Sequence, residues 1–256
     1  MPWSESIPQF SSLATILGAA LLVYAAVGEP LLGRWAFNWL GSRRDSQSGA
    51  LAGFYWGTIG LHLVWVALIA VLLVFSPELS VGHVGVRLPS AWGPLAAAAL
   101  GFALALVTMW LLTRTLSGRG KKAGRGSLFT SGTEPAGSTL EVLAPRSRYE
   151  RWLAAGVAVT AGVGEELLYR GLFLAFGVSL GVPLWAAAIV SCLLYAGAHI
   201  YQGWWGLVGP GLLGALFTVL YLGTGSLLVP VVLHIGLELR SLLLTGTGRR
   251  HRAASV

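Results

Sequence analysis

An all-α fold is predicted for this chain: a polytopic transmembrane helical bundle of about seven spans, with its chemistry in the last four. Three observations predict it. Of the 256 residues 55% are hydrophobic and only 11% are charged, against roughly 25% charged in a soluble domain. Seven segments approach the ~20 apolar residues that a helix needs to cross the hydrocarbon core. The basic residues also fall almost entirely into alternate connections, as the positive-inside rule requires of an odd number of spans. Mean hydropathy is +0.72, so the sequence is suited to lipid rather than water.

Taken in order, the spans are Phe10–Val27, Leu51–Phe75, Trp92–Thr113, Trp152–Phe176, Trp185–His199, Leu207–Leu222 and Leu227–Leu244. The first follows Met-Pro-Trp-Ser-Glu and has no basic n-region, which predicts an uncleaved first span rather than a signal peptide. Spans five and six are short, which suits helices that are tilted or shielded by their neighbours. Arg34, Arg43 and Arg44 lie between spans one and two, a basic cluster from Arg114 to Arg151 between three and four, and Arg249, Arg250 and Arg252 after span seven. Only Arg87 is on the other side. This segregation predicts an outside N-terminus and a cytoplasmic C-terminus, and it accounts for the net charge of +7 without nucleic acid.

The stretch 114–150 is rich in Gly, Ser and Lys/Arg and has no apolar period, so it reads as a flexible basic cytoplasmic linker, either in contact with anionic headgroups or simply solvated. It divides the chain into a three-span scaffold (1–113), a four-span core (151–246) and a basic tail (247–256). In the scaffold spans His62 is the single ionisable exception, and it reads as a packed or interfacial histidine. Cys192, the sole cysteine, sits in an apolar run; it reads as a small core residue and says nothing about redox compartment.

The last four spans carry Glu165, Glu166, Arg170, His199, His234, Glu238 and Arg240 among apolar residues. An ionisable group at membrane depth costs several kcal/mol, so such residues face a cavity and are functional candidates by default. Arg240, near the end of its span, reads as a snorkelling side chain. Glu166 and Arg170 are four apart in the favourable Glu-before-Arg order and neutralise each other on one helical face. Glu165 points about 100° away and is left without a partner on its own helix, an environment that suits a general acid or base. Tyr195 and His199 share a face of the fifth span, and His234 and Glu238 share one of the seventh. One intramembrane histidine can be an accident of packing; two histidines and two glutamates on three helices of one bundle point to a functional site.

The three patterns Glu165-Glu166-x-x-x-Arg170, Tyr195-x-x-x-His199 and His234-x-x-x-Glu238, in this order on apolar helices, resemble the CAAX-protease and bacteriocin-processing family of intramembrane proteases, related to the Ras-converting CAAX endopeptidases. The resemblance covers roughly residues 151–244. It implies an integral protein of a bacterial or archaeal plasma membrane that hydrolyses a bond in a membrane-associated peptide or protein. In that family's terms Glu165 is the base for a water, His199 orients the water or shares its proton, and His234 stabilises the carbonyl oxygen. Glu166 and Arg170 support the helix. Two positions depart from the family pattern: Tyr195 stands for Phe, and Glu238 for the Asn that assists the oxyanion. An ionised carboxylate cannot donate a hydrogen bond.

No cofactor is favoured. The competing chemistry places Zn²⁺ on Glu165, His199, His234 and perhaps Glu238, a donor set of the kind found in hydrolytic zinc sites. Other protease classes are excluded by inspection: there is no His-Glu-x-x-His helix, Asp45 is the only aspartate, and no Gly-x-Ser-Gly occurs. The rival to an enzyme is a membrane scaffold, immunity or transport protein that binds with the same polar cluster. The sequence leaves the oligomeric state open.

Overall fold

The computed structural model of the chain describes residues 3, 6–93, 96 and 142–244. It is all-α among the described residues. Helices occupy six of the segments read as spans; most of the third, Trp92–Thr113, lies outside the described residues, as do linker residues 114–141 and the tail.

The first helix is longer than its apolar run. Helix α1 (Ser12–Val23) passes through a π-helical turn, Tyr24–Gly28, into α2 (Glu29–Arg43), so that one apolar rod extends over Ser12–Arg43. Residues 28–43, read as a connection, are therefore helical. The interruption has a local cause: Pro30 brings no N–H to the helix ladder, and a π-turn just before it rearranges the bonding there. Ser11 caps the start, its hydroxyl accepting the Ala14 N–H at 3.3 Å. Helix α3 (Ala50–Phe75) follows after a short turn and is continuous.

Helix α4 (Arg148–Glu165) opens with a capping box. Ser147 accepts the Glu150 N–H at 3.1 Å, while Glu150 Oε2 accepts the N–H groups of Ser147 at 3.1 Å and Arg146 at 2.6 Å. The segment before it is anchored to the first helices. The buried Arg44 donates from Nε to Val142 O at 3.1 Å and from Nη2 to Ala144 O at 2.8 Å, and the Tyr55 hydroxyl donates to Leu143 O. Beyond Glu165 the helix continues as a π-segment, Glu166–Phe173, and then as α5 (Leu174–Ser179). Helices α6 (Leu184–Ala198), α7 (Trp204–Thr224) and α8 (Leu228–Leu244) complete the order, with a single 3₁₀ turn, Ile200–Gln202, between α6 and α7.

Helix α4 is the hub, packed on α3 along one side and α8 along another. One core cluster joins Trp65, Ile69 and Leu72 of α3 to Leu168, Tyr169 and Leu172 of the π-segment; a second joins Tyr55 and Ile59 to Leu153 and Val157. Many large apolar side chains face outward on the other faces, among them Leu13, Ile16, Leu212 and Val219, as a lipid-facing surface requires and a water-facing one does not. Three rods, Ser12–Arg43, Ala50–Phe75 and Gly206–Thr224, are by length and composition able to cross a membrane. The protein is an integral membrane protein on this ground.

The loop between Phe75 and Trp92 folds back on the α7–α8 turn. Gly85, at φ +79, gives its carbonyl to the Leu227 N–H at 3.0 Å, and a Cβ there would stand 2.6 Å from Tyr221. In the same loop His83 Nδ1 accepts the Ser80 N–H at 3.0 Å. Burial first, and the Arg87 charge second, hold its pKa below the ordinary histidine value.

Candidate active site

Two glycines bring the helices together at the motif. A Cβ on Gly162 would stand 2.5 Å from Ile235 Cγ1 and 3.3 Å from Val231 O of α8, and one on Gly164 would stand 3.3 Å from His62 Cβ of α3. Without side chains at these positions α4 closes on both neighbours, and the next residue, Glu165, comes between a histidine from each. Its Oε1 is 3.6 Å from His62 Nε2, and its Oε2 is 3.6 Å from His234 Nε2. Glu165 is thus not isolated; its neighbours come from other helices, which the periodicity of its own helix does not reveal.

Glu166 is fully buried. Its Oε1 accepts from Arg170 Nη1 at 2.9 Å and from His234 Nδ1 at 2.9 Å. The pair read as self-neutralising therefore has a third member. A carboxylate on Nδ1 fixes the imidazole's orientation and turns Nε2 toward Glu165 and the cavity. Among the described residues Arg170 Nε and Nη2 have no hydrogen-bond partner; the guanidinium is instead 4.2 Å from the centre of the Tyr195 ring, a cation–π contact strengthened by desolvation. Tyr195 thus meets Arg170 with its ring face. Phe217 stacks on His234 with 5.5 Å between ring centres. The motif coincides with the π-segment, a helix form that recurs at functional sites.

Glu165, His62, His234, His199, Glu238 and Arg240 all line one cavity of about 1230 Å³ whose other walls are largely apolar. His199, at the end of α6, turns Nδ1 to Tyr195 O at 2.9 Å. A carbonyl only accepts, so Nδ1 carries the hydrogen and Nε2 is the free nitrogen. His199 and Glu238 interact electrostatically with Glu165, but among the described residues neither forms an ion pair with it. Of the sequence-derived set, Glu165, Tyr195, His199, His234 and Glu238 line the cavity, while Glu166 and Arg170 are buried behind it and reach it through His234 and Tyr195. Among the described residues no group of three His, Cys, Asp or Glu side chains is placed to hold a metal ion.

The cavity also takes one histidine and one glutamate from the N-terminal region read as scaffold. One is His62. The other is Glu29, whose Oε2 accepts the Tyr169 hydroxyl at 2.6 Å. The signal for both was available, since each is an ionisable residue in an apolar stretch. Neither is repeated at helical spacing, which is the feature that singled out the others.

No curated protein and no solved structure matches the chain. A family model does, over residues 147–239, from the cap of α4 to the residue after Glu238; its description is type II CAAX prenyl endopeptidase Rce1-like. Residues 147–239, the part of the chain that supplies Glu165, Glu166, Arg170, His199 and His234, are a domain of the Rce1-like type II CAAX prenyl endopeptidase family.

Proposed function

We propose that the chain is an intramembrane endopeptidase that hydrolyses a peptide bond in a membrane-associated peptide or protein, with Glu165 as the base for a water and without a metal. The observation that carries this reading is the placement of Glu165 between two imidazoles at the wall of a largely apolar cavity. Peptide hydrolysis needs a base for water, a positive or donor group for the carbonyl oxygen, and a route for the proton to the leaving nitrogen. Glu165 is the first. His234, held at Nδ1 by Glu166, is the second, its Nε2 directed at the developing oxyanion. Two carboxylates and the Arg170 guanidinium leave one negative charge, which a protonated His234 balances. His199, with Nε2 free, takes a share of the water's proton and passes it toward the amine. Glu238 stands at the oxyanion side in place of asparagine, with no donor of its own when ionised. The apolar walls suit a substrate with an apolar or lipidated end.

The architecture belongs to the same proposal: seven spans, N-terminus outside and C-terminus cytoplasmic, with the first three spans and the 114–150 linker governing access. The test is cleavage of a fluorogenic farnesylated peptide ending in Cys-aliphatic-aliphatic-X by the purified chain in detergent. Wild type cleaves it and Glu165→Gln loses at least about 10³-fold, in line with the loss of an essential general base; strong chelators leave the rate unchanged. Equal cleavage by Glu165→Gln sinks the reading, and loss of activity together with stoichiometric zinc on chelation replaces it by the zinc chemistry. A scaffold or transporter retains its phenotype with Glu165→Gln.

A further inference from the structure

The imidazole that faces Glu165 on its open side is His62, from α3, outside the family match. Of the two Glu165 oxygens, Oε2 is the one sealed from solvent without a hydrogen-bond partner, opposite His234. Oε1, the other, is 3.6 Å from His62 Nε2. That separation is too long for a hydrogen bond.

The hydrogens around His62 decide what belongs in the gap. His62 Nδ1 is 3.1 Å from Thr160 Oγ1. The Thr160 hydroxyl has one hydrogen, and it is directed at the carbonyls of its own helix, Gly156 O at 3.0 Å and Val157 O at 3.2 Å, the usual habit of a threonine inside a helix. Thr160 Oγ1 is therefore an acceptor toward His62, and in the neutral imidazole Nδ1 then carries the one hydrogen and Nε2 presents a lone pair. Two acceptors, Nε2 and Oε1, then face each other at the cavity wall. Only a group with two hydrogens satisfies both, and water is that group: buried polar atoms without a protein partner are as a rule met by one.

We infer that His62 is a further catalytic residue, its Nε2 and Glu165 Oε1 together holding the water that attacks the peptide carbonyl. With both hydrogens engaged, the water's lone pairs are the part directed at the substrate. One hydrogen passes to Glu165 Oε1 as the oxygen bonds to the carbonyl carbon. The C–N bond then breaks and that hydrogen leaves on the amine nitrogen, directly or through His199. The second hydrogen stays on the oxygen as it becomes part of the new carboxyl group, oriented until then by His62. Nothing is oxidised or reduced. His62 is placed for this by Gly164, where a Cβ would already stand 3.3 Å from the His62 Cβ, and it is buried against Trp65, 5.1 Å between ring centres.

The inference rests on Glu165 being the base, and the experiment separates the two. With the farnesylated peptide as probe, His62→Leu is expected to lower kcat by about 10²-fold, the cost of a misplaced reactant, with KM within about a factor of two. His62→Gln, which keeps an acceptor near the position of Nε2, recovers about tenfold of that loss. Thr160→Val, which removes the acceptor that fixes the imidazole, costs about tenfold. If Glu165→Gln is inactive while a folded His62→Leu retains kcat within about threefold, the inference fails and the glutamate reading stands. If His62→Leu does not fold, parental kcat in Thr160→Val overturns it. Independently of any substrate, ¹⁵N-histidine NMR of the full chain in lipid bilayers is expected to show His62 with a bare Nε2 and a protonated Nδ1; a protonated Nε2 contradicts it.

Discussion

Glu238 shows how much one side chain can decide at this depth. It lines the cavity with His199 and His234, at the position where the family pattern has an amide, and when ionised it puts a negative charge on the side where the proposed mechanism develops one. Glu238→Asn removes that charge and supplies a donor. Losing such a donor costs other hydrolases about 10²–10³ in rate, so regaining one here is expected to raise kcat about tenfold; an unchanged or lower rate on the farnesylated probe shows that Glu238 has a task of its own. The residues at this scale were unevenly legible. Glu166 with Arg170, Tyr195 with His199, and His234 with Glu238 could be paired because each pair repeats at one helical turn, and the structure keeps all six at one cavity or its wall. His62 could not be paired with Glu165, since their contact is made between helices by Gly164, and spacing along one chain does not encode it. The bond from His234 to Glu166 was hidden for the same reason.

Among the elements, α4 and its π-continuation carry the site, and glycines set its distances. Gly162→Val is the informative change, because its Cβ would meet the Ile235 and Val231 backbone as well as the Ile235 side chain, at 3.1 and 3.3 Å for the backbone atoms. Overpacking of this kind costs about 1–3 kcal/mol. The larger effect falls on catalysis, since α8 carries His234: a shift near 1 Å costs about 10²-fold. Thermal unfolding in detergent and the cleavage rate, read together, check it; a variant that loses stability but keeps its full rate shows that the α4–α8 distance does not govern the chemistry. Helix existence was legible from apolar runs, but helix ends were less so. The rod Ser12–Arg43 outlasts its apolar run because Glu29, Arg34 and Arg43 follow without a helix-stopping residue, and Pro30 is absorbed by the π-turn before it. Arg44, expected in a solvated connection, is buried because the carbonyls of Val142 and Ala144 and the carboxylate of Glu150 meet it.

At the scale of the whole molecule, the domain of residues 147–239 supplies most of the site, and the first helices close it. Glu29 and His62 come from outside the matched stretch, and both line the cavity. In the proposed peptidase the N-terminal helices contribute side chains to the cavity as well as bulk. Membrane residence was legible from composition, because 11% charge cannot cover a water-facing surface, and the all-α class from apolar runs of helix-spanning length. The number of spans and the sidedness follow from charge segregation and stay part of the proposal.

The most direct measurement compares the membrane peptides of host cells lacking the chain and complemented with either wild type or Glu165→Gln, by mass spectrometry of newly formed termini. The account predicts uncleaved precursors in the Glu165→Gln membranes and their truncated products only with wild type. Identical termini in the two, with both proteins present at equal level and folded, would contradict it.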